Sequence, residues 1–577
     1  MANLFEYNFQ DDQQEKENTY PINDVQYLYI NDSNASNYSN GYINFSNVSI
    51  IGSNVDKHYI WSQGYLAIPY TITVASTLNM PFQIDPANVN ALSVKSYASF
   101  IDWVSVKFNG VSCTRNSYYN HLMMNERIKT YNSDKYRLYA DIMNHAWDSG
   151  NGIQYSTTLG EYNNTTINKN SPLLEGFKTS NIINQGHLQR CAKSNIDITN
   201  VANSSLASFM GTSVATLRDT ENQNILVYQG TDGLMFQGTA IIPLSELHDF
   251  FKQMPSVASS VGFELRLQSN VARENTYTVG YATTGSAPLN LTPVIPNSVT
   301  SQQIVGHACP FLLSNPTTDG SSGLKIANAA IGNNATVTVK ACIGWLAVGS
   351  TLPAITGQIS GNPCRIYLPS VSYNNNYIKE IIMNPQYSLK YLDYYVDSDL
   401  NKPQGTQISK LFNCQLSRVR NLYIIPYLSA SSTGVFPSPF NSPLSSSPTT
   451  VTPCKLKNFN IQIGGSNIFT EPQNYNYQFY NNNALSLLAD VNGNSLKSKF
   501  FSGQITKSMW ESGYGVYAIS LQKVQDELQD NLMKSFQLIF QVESSTVTTV
   551  SYDFYYLISY QSELSLDRST GTITNSV

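Results

Sequence analysis

Charge is scarce in this sequence. Asp, Glu, Lys and Arg make up 13% of its 577 residues, 34 basic against 39 acidic, for a formal net charge of −5. That is about half the ~25% usual for a soluble domain. Neither sign dominates, and a pI of 5.7 leaves no basic surplus with which to hold nucleic acid through a cationic patch. Disorder is excluded as well, because hydrophobic residues reach 41% and aromatic ones 12%, enough for a sizeable core. Long apolar runs are missing: no window approaches the ~18 residues of a membrane helix, and Ala341–Val348 is too short and adjoins Lys340. The first twenty residues set Glu6, Asp11, Asp12, Glu15 and Glu17 against Lys16 and contain no apolar stretch, so no secretory signal and synthesis in the cytosol are expected.

Cysteine pairing is also absent as a pattern. The seven cysteines (Cys113, Cys191, Cys309, Cys342, Cys364, Cys414, Cys454) are odd in number, widely spaced and without CxxC. Reduced, buried thiols are expected rather than a disulfide framework or a zinc site. The sequons crowded between Asn31 and Asn47 read as a by-product of Asn and Ser richness, since glycosylation needs the secretory route.

The motifs of common chemistries are missing too: no P-loop, no GxGxxG, no HExxH and no GxSxG. Six histidines are scattered, at His58, His121, His145, His187, His248 and His307. His145 and Asp148 make at most half a metal site and read as a loop hydrogen bond. His307 near Cys309 lacks a visible orienting partner, so a buried thiol is the better reading than a nucleophile. Two loops imitate calcium sites, Asp397-x-Asp399-x-Asn401 and Asp490-x-Asn492-x-Asn494. The first puts Lys402 where the turn needs Gly, and both lack the bidentate Glu, with Ile408 and Phe501 in its place. The Tyr/Asn stretches Asn116–Met124 and Asn474–Asn483 would suit a sugar-binding face, but sandwich strands and loops are the plainer reading. No carboxylate pair stands out for glycoside hydrolysis. No catalytic, cofactor-binding or metal-ligating residue is nominated, and no cofactor is expected.

What the sequence does contain is strand periodicity. Leu66, Ile68, Tyr70, Ile72 and Val74 alternate with small or polar residues, as do Val337, Val339, Ala341, Ile343 and Trp345. The same holds for Phe459, Ile461, Ile463; for Phe536, Leu538, Phe540, Val542; and for Phe554, Tyr556, Ile558, Tyr560. Gly, Pro and Asn clusters separate these runs, which predicts antiparallel sandwiches. Helical spacing is confined to Leu244–Met254, Leu521–Leu532 and Asn132–Met143.

A repeat underlies the pattern. Gly238–Ser269 reads strand, short amphipathic helix, strand, and Gly515–Ser544 reads the same, with Leu244 answered by Leu521. Upstream of each copy sits a tight hairpin, one turning at Asn109-Gly110 and the other at Gly464-Gly465, dipeptides that supply φ > 0. The spacings differ, so the first copy carries a large insertion, mostly Arg127–Gln237. Breakers concentrate just after Val348 and again in Ser429–Thr450.

With these features the chain resembles the double jelly-roll major capsid proteins of virophages and polinton-like viruses. AIIPLSELHDFF, with Phe250 and Phe251, resembles the first roll's strand-to-helix passage. Cys364–Val396 resembles the opening of the second roll, with strand, Asn/Tyr turn and tyrosine-rich strand. Tyr552–Ile573 resembles the closing strand and its tail. The resemblance implies an all-β fold of two tandem jelly rolls: residues 1–350 with an insertion around 127–237, and 351–577 with an exposed loop at 429–450. It implies homotrimers with a pseudo-hexagonal outline in an icosahedral shell around a DNA genome, a penton or minor capsid protein as further partner, and no enzymatic activity. The rivals are a β-sandwich lectin or adhesin and a carbohydrate-active hydrolase. The missing signal and the two-fold repeat weigh against the first, the missing carboxylate pair against the second.

Overall fold

The structure, a computed structural model of the whole chain, describes residues 22–46 (without 36 and 39), 57–76, 82–84 and 92–114 (without 95), then 122–123, 126–127, 136, 138–139 and 142–144. It further describes 215–217, 226–229, 233–269 (without 259–260), 275–283, 291–294, 311–313, 316–317, 324–326 and 335–344. In the C-terminal part it describes 363–429, 454–480 (without 464), 507–521 (without 513), 534–543 and 551–575 (without 569–571).

A first sandwich is built from β1 (Ile22–Asn31), β2 (Tyr42–Ser46), β3 (Tyr65–Ser76), β4 (Ile101–Phe108), β5 (Val111–Ser112), β6 (Gly233–Pro243), β7 (Phe263–Ser269) and β8 (Arg365–Tyr373). Two short helices, α1 (Leu244–Leu247) and α2 (Asp249–Gln253), join β6 to β7, and α3 (Asn375–Met383) follows β8. A second sandwich is built from β9 (Gln386–Pro403), β10 (Gln407–Leu416), β11 (Val419–Leu428), β12 (Leu456–Ile463), β13 (Ser466–Asn467), β14 (Tyr517–Ser520), β15 (Lys534–Val542) and β16 (Ser551–Asp567).

The two follow one plan. In the first, one sheet runs β1-β8-β3-β6 and the other β2-β7-β4-β5; in the second, β9-β16-β11-β14 and β10-β15-β12-β13. Adding eight to each strand number converts one order into the other. Every pairing along these paths is antiparallel, and the two interleaved four-strand orders are those of a jelly roll, so the fold is a double jelly roll.

Register follows the hydrophobic alternation. Ile30 pairs with Ile366, Ile366 with Leu66, and Leu66 with Ile242, so four strands present one apolar row to the inside. All four residues are almost fully buried, each worth about 1.5–3 kcal/mol relative to exposure. Trp61 closes this core, its ring 4.6 Å from Phe263, 5.3 Å from Phe108 and 6.0 Å from Phe251. In the second sandwich Phe412 stacks on Phe536 at 4.8 Å and meets Tyr556 edge-on at 5.2 Å. Both hairpins expected from the sequence are present. Asn109 and Gly110 turn with φ of 45° and 79°, and Gly465 with φ of 79°.

Three features depart from the sequence reading. Arg365–Tyr373, taken as the opening strand of the second roll, closes the first: it lies between β1 and β3, although it falls beyond residue 350. Its entry is held by Asp32, whose carboxylate accepts the Cys364 N–H at 2.6 Å and the Tyr38 hydroxyl at 2.5 Å. The Asn-rich stretch after it is not a turn but helix α3, capped by Asn374 through the Tyr377 N–H at 2.8 Å. Alternation says that a strand has a buried face, not which sheet supplies it. The helix read at Leu244–Met254 is two helices, broken where His248 takes φ −153° and ψ 143°.

Further strands lie between β7 and β8. Asn275–Thr283 pairs with Ala335–Ile343, which in turn pairs with β3 from Ser76 to Tyr70 and widens the first sheet. Of the insertion at 127–237, Ala215–Leu217 and Leu226–Gln229 add to that sheet's far edge beyond β6. Helical turns appear at 136, 138–139 and 142; Asn132, residues 522–533 and residues 430–453 lie outside the described residues. No helix among the described residues is long and apolar enough to cross a membrane.

Candidate functional site at the junction of the two sandwiches

Among the described residues, His248, Asp249 and Asp393 form a cluster of buried ionisable groups where the sandwiches meet. It begins with β6 running into α1: the Leu244 N–H donates to Gly64 O at 2.9 Å. A Cβ at Gly64 would come within 2.5 Å of Leu368 and 2.8 Å of Leu244, so only glycine lets the helix approach this closely. The chain then breaks at His248, and Phe250 and Phe251 turn inward with no exposed surface. Phe250 meets Tyr391 of β9 edge-on, with ring centroids 5.3 Å apart.

Polar contacts follow the same line. His248 Nδ1 accepts the Phe250 N–H at 3.1 Å and so caps α2, a place more often filled by Ser or Asp. With Nδ1 accepting, Nε2 carries the proton and donates to Asp393 Oδ1 at 3.3 Å. Asp393 Oδ1 also accepts the Tyr394 N–H at 2.8 Å, and Oδ2 the Tyr560 hydroxyl at 2.7 Å. Asp249 Oδ2 accepts the Leu392 N–H at 3.0 Å. Arg127, from the segment after β5, donates to Ser245 O at 3.1 Å and Glu246 O at 3.0 Å and lies 3.8 Å from Asp249 Oδ1. The Tyr391 hydroxyl reaches Cys113 O at 2.5 Å.

Tyr391, Leu392, Asp393 and Tyr394 are all buried, so β9 is covered on both faces here. Burial pushes the Tyr394 hydroxyl up, with Arg127 pulling the other way. Burial likewise raises Tyr423, on β11 beside it, with the Glu126 charge adding to the effect.

A His–Asp pair resembles two-thirds of a catalytic triad, but the geometry does not support that role. Both ring nitrogens are occupied: Nε2 by the Asp393 carboxylate, and Nδ1, which would have to accept a nucleophile's proton, by the Phe250 N–H. His248 is 0% and Asp393 1% exposed, so no substrate reaches them. What the arrangement does is hold one sandwich to the other. Breaking a buried, hydrogen-bonded charge from its partner costs about 3–5 kcal/mol, so the junction resists opening.

Asp397 and Asp399 lie on β9, and the Lys410 ammonium sits between them at 3.1 and 3.4 Å, where a calcium ion would have to be. No group of three or more metal-ligating side chains occurs among the described residues. Tyr475 and Tyr480, from the Tyr/Asn stretch, are core residues rather than a sugar platform; the Tyr475 hydroxyl accepts the Ala518 N–H at 2.7 Å and donates to Ala518 O at 2.9 Å. Cys113, Cys342, Cys364 and Cys454 are buried free thiols. Asn34 uses its amide within its own turn, donating to Asn37 O and Tyr42 O and accepting the Asn44 N–H. His145, Asp148, His307, Cys309 and the Asp490 loop lie outside the described residues. Sequence reasoning missed His248, Asp249 and Asp393; the only signal was the position of His248 and Asp249 inside the repeated strand–helix–strand unit.

No protein-family model matches the chain, and no curated protein matches it in sequence. Solved structures do. A chain of the Sputnik virophage, determined by cryo-EM, aligns with TM-score 0.50 and 12% identity over 98% of this chain and 91% of that one. The mavirus major capsid protein aligns with TM-score 0.46 and 10% identity over 99% and 94%. The Faustovirus major capsid protein aligns with TM-score 0.41 and 9% identity over 95% and 92%. The likeness to the Sputnik chain runs the length of both sandwiches and agrees with the strand order in assigning the double jelly-roll fold.

Proposed function

We propose that this protein is the major capsid protein of a DNA virus of the virophage or polinton-like kind, self-assembling as pseudo-hexagonal trimers into an icosahedral shell. One observation carries the reading: two sandwiches of identical strand order are held together in one chain by a buried polar junction that offers no access to a substrate. Two equivalent units per chain and three chains about an axis give six similar sides, which tile a hexagonal lattice with quasi-equivalent edges. The chain's place is then the virion, made in the host cytosol, with a penton or minor capsid protein at the shell's remaining positions. Its acidic balance assigns the genome no strong direct contact, and the protein acts as scaffold rather than enzyme.

The division between the rolls falls in the segment of α3, after β8 has closed the first. Apart from 215–217 and 226–229, which extend the first sheet, we assign the insertion around 127–237 and the loop at 429–450 the role of tower loops or of locks between neighbouring subunits; if they lock subunits, deleting 429–450 weakens the purified trimer. Sizing and electron microscopy of the purified protein test the whole reading. Trimers of hexagonal outline are expected, whereas a strict monomer that binds glycans would replace this reading with the lectin one.

A further inference from the structure

The two sandwiches meet a second time, beside the connection between them. Two pairs of strand ends are bridged there: Ile22 of β1 pairs with Tyr373 of β8, and Gln386 of β9 with Asp567 of β16. Helix α3 spans the gap and packs on a small core of its own. Ile60, Val371, Tyr373 and Ile381 are buried together, with Ile22, Tyr377 and Ile378 against them. The second sandwich contributes Arg568, whose backbone N–H donates to Pro385 O at 2.7 Å, just past the end of α3.

His58 lies in this cluster. It belongs to a two-residue strand, His58–Tyr59, that pairs with Val257–Ala258 and with Ser370–Val371 of β8. Its ring meets Tyr373 edge-on, with centroids 5.1 Å apart, and Tyr373 leads on to Tyr377 of α3 at 4.6 Å. His58 Nδ1 and Arg568 Nε are both shut off from solvent, and neither has a hydrogen-bond partner among the described residues. The other polar groups nearby are engaged or turned outward. The Tyr373 hydroxyl bonds Ser256, Lys57 donates to Gln26, the Asp567 carboxylate accepts the Gln386 amide at 3.4 Å, and Lys379 and Glu380 of α3 are exposed. Among the described residues Arg568 is the one charged group that acts on His58; burial first, and then that guanidinium, hold the imidazole below its ordinary value. His248 is placed in the opposite way, donating to the Asp393 carboxylate. An imidazolium at position 58 has no carboxylate to meet and a like charge beside it.

We infer that His58 is an acid-release latch: once protonated it repels Arg568, and helix α3 with the end of β16 loosens from the first sandwich while the Asp393 junction holds. The direction follows from linkage. Folding lowers the proton affinity of His58, so the native chain binds fewer protons than the opened one. The contribution to stability is complete above the unfolded value of ~6.5 and is lost as pH falls through the lower folded value. The latch acts within one chain and needs no partner, so it stands apart from the shell-protein reading.

The test is hydrogen exchange read by mass spectrometry on the full-length protein, wild type against His58→Gln, at pH 7.5 and pH 5.0. Rates are compared as the ratio of wild type to variant at each pH, so intrinsic exchange and any fixed cost of the substitution cancel. Between pH 7.5 and 5.0 that ratio is expected to rise about threefold to thirtyfold at 375–384 and 564–568. The upper bound is set by pH 5.0 lying about 1.5 units below the unfolded value. At 389–396, on the Asp393 junction, the ratio should not change. Arg568→Gln removes the like charge and leaves the burial, so the ratio of wild type to this variant should rise by a smaller factor; it also serves if His58→Gln folds poorly. A ratio that is the same at both pH values for both variants overturns the latch. So does a rise at 389–396 as large as that at 375–384, because acid would then be acting on the whole junction.

Discussion

Replacing Asp393 by Asn tests the junction with the least change of shape. In the native protein three donors converge on the carboxylate: His248 Nε2 at 3.3 Å, the Tyr560 hydroxyl at 2.7 Å and the Tyr394 N–H at 2.8 Å. An amide offers one acceptor oxygen and one NH2 group. If the NH2 faces Tyr560, the phenol loses its carboxylate acceptor. If it faces His248, N–H opposes N–H, and switching the imidazole tautomer only moves the conflict to Nδ1, which the Phe250 N–H already occupies. Either orientation leaves one buried donor, the Tyr560 O–H or the His248 N–H, without its acceptor, about 1–3 kcal/mol, together with loss of the charge assistance to the others. Relief from burying a charge offsets part of this, so a net loss of about 1–3 kcal/mol is expected. Urea unfolding followed by fluorescence measures the loss, and hydrogen exchange at 389–396 locates it at the junction. Tyr560→Phe should cost less in the Asp393→Asn background than in the wild type, by about 1 kcal/mol, because the two share one interaction. If Asp393→Asn unfolds within about 0.5 kcal/mol of the wild type and Tyr560→Phe costs the same in both backgrounds, the reasoning is wrong.

Glu563 of β16 is tied to β9 and to the turn before β11: burial alone would raise its carboxyl, but hydrogen bonds from Arg418 at 2.5 Å and Ser388 at 2.8 Å, with the Lys390 charge, hold it below the ordinary value. A carboxyl lowered in the folded state stabilises above the unfolded value of ~4.3 and loses that contribution as pH falls through the folded one. Glu563→Gln should therefore cost about 0.5–1 kcal/mol at neutral pH and nothing in acid, read from urea unfolding at a series of pH values. Gly110→Ala should lower stability by about 1–2 kcal/mol from backbone strain alone, because φ is 79° and nothing lies within 4 Å of the added methyl; an unchanged melting temperature would refute the positive-φ argument. Burial pushes the Cys113 and Cys454 thiols up to about 12, so peptide mapping after iodoacetamide at pH 8 should find both unlabelled in the native protein and labelled in urea.

The strands were legible because their alternation is local. Leu66, Ile68, Tyr70 and Ile72 announced a buried face and are all fully buried. The two hairpin turns were legible for a similar reason, since Asn-Gly and Gly-Gly suit positive φ whatever surrounds them. The role of Arg365–Tyr373 was not. Its alternation fits either sandwich, and only the slot between Ile30 and Leu66 assigns Ile366 to the first. His248, Asp249 and Asp393 were not legible as a site, because His248 and Asp393 lie 145 residues apart and carry no motif.

The sequence alone determined the class of the protein: all-β, duplicated and low in charge, with no pairing pattern among its cysteines and no catalytic motif. Those properties depend on composition and on periods of two residues, which each strand carries by itself. Tertiary structure decided which strand closes which sandwich, that Lys410 occupies the place a calcium ion would need, and that His248, Asp249 and Asp393 are buried together where the two halves meet. Low charge thus reads differently in three dimensions. Buried carboxylates are costly unless every lone pair finds a donor, and only the assembled fold brings a histidine, a tyrosine, an arginine and two backbone amides to the two aspartates that hold the halves together.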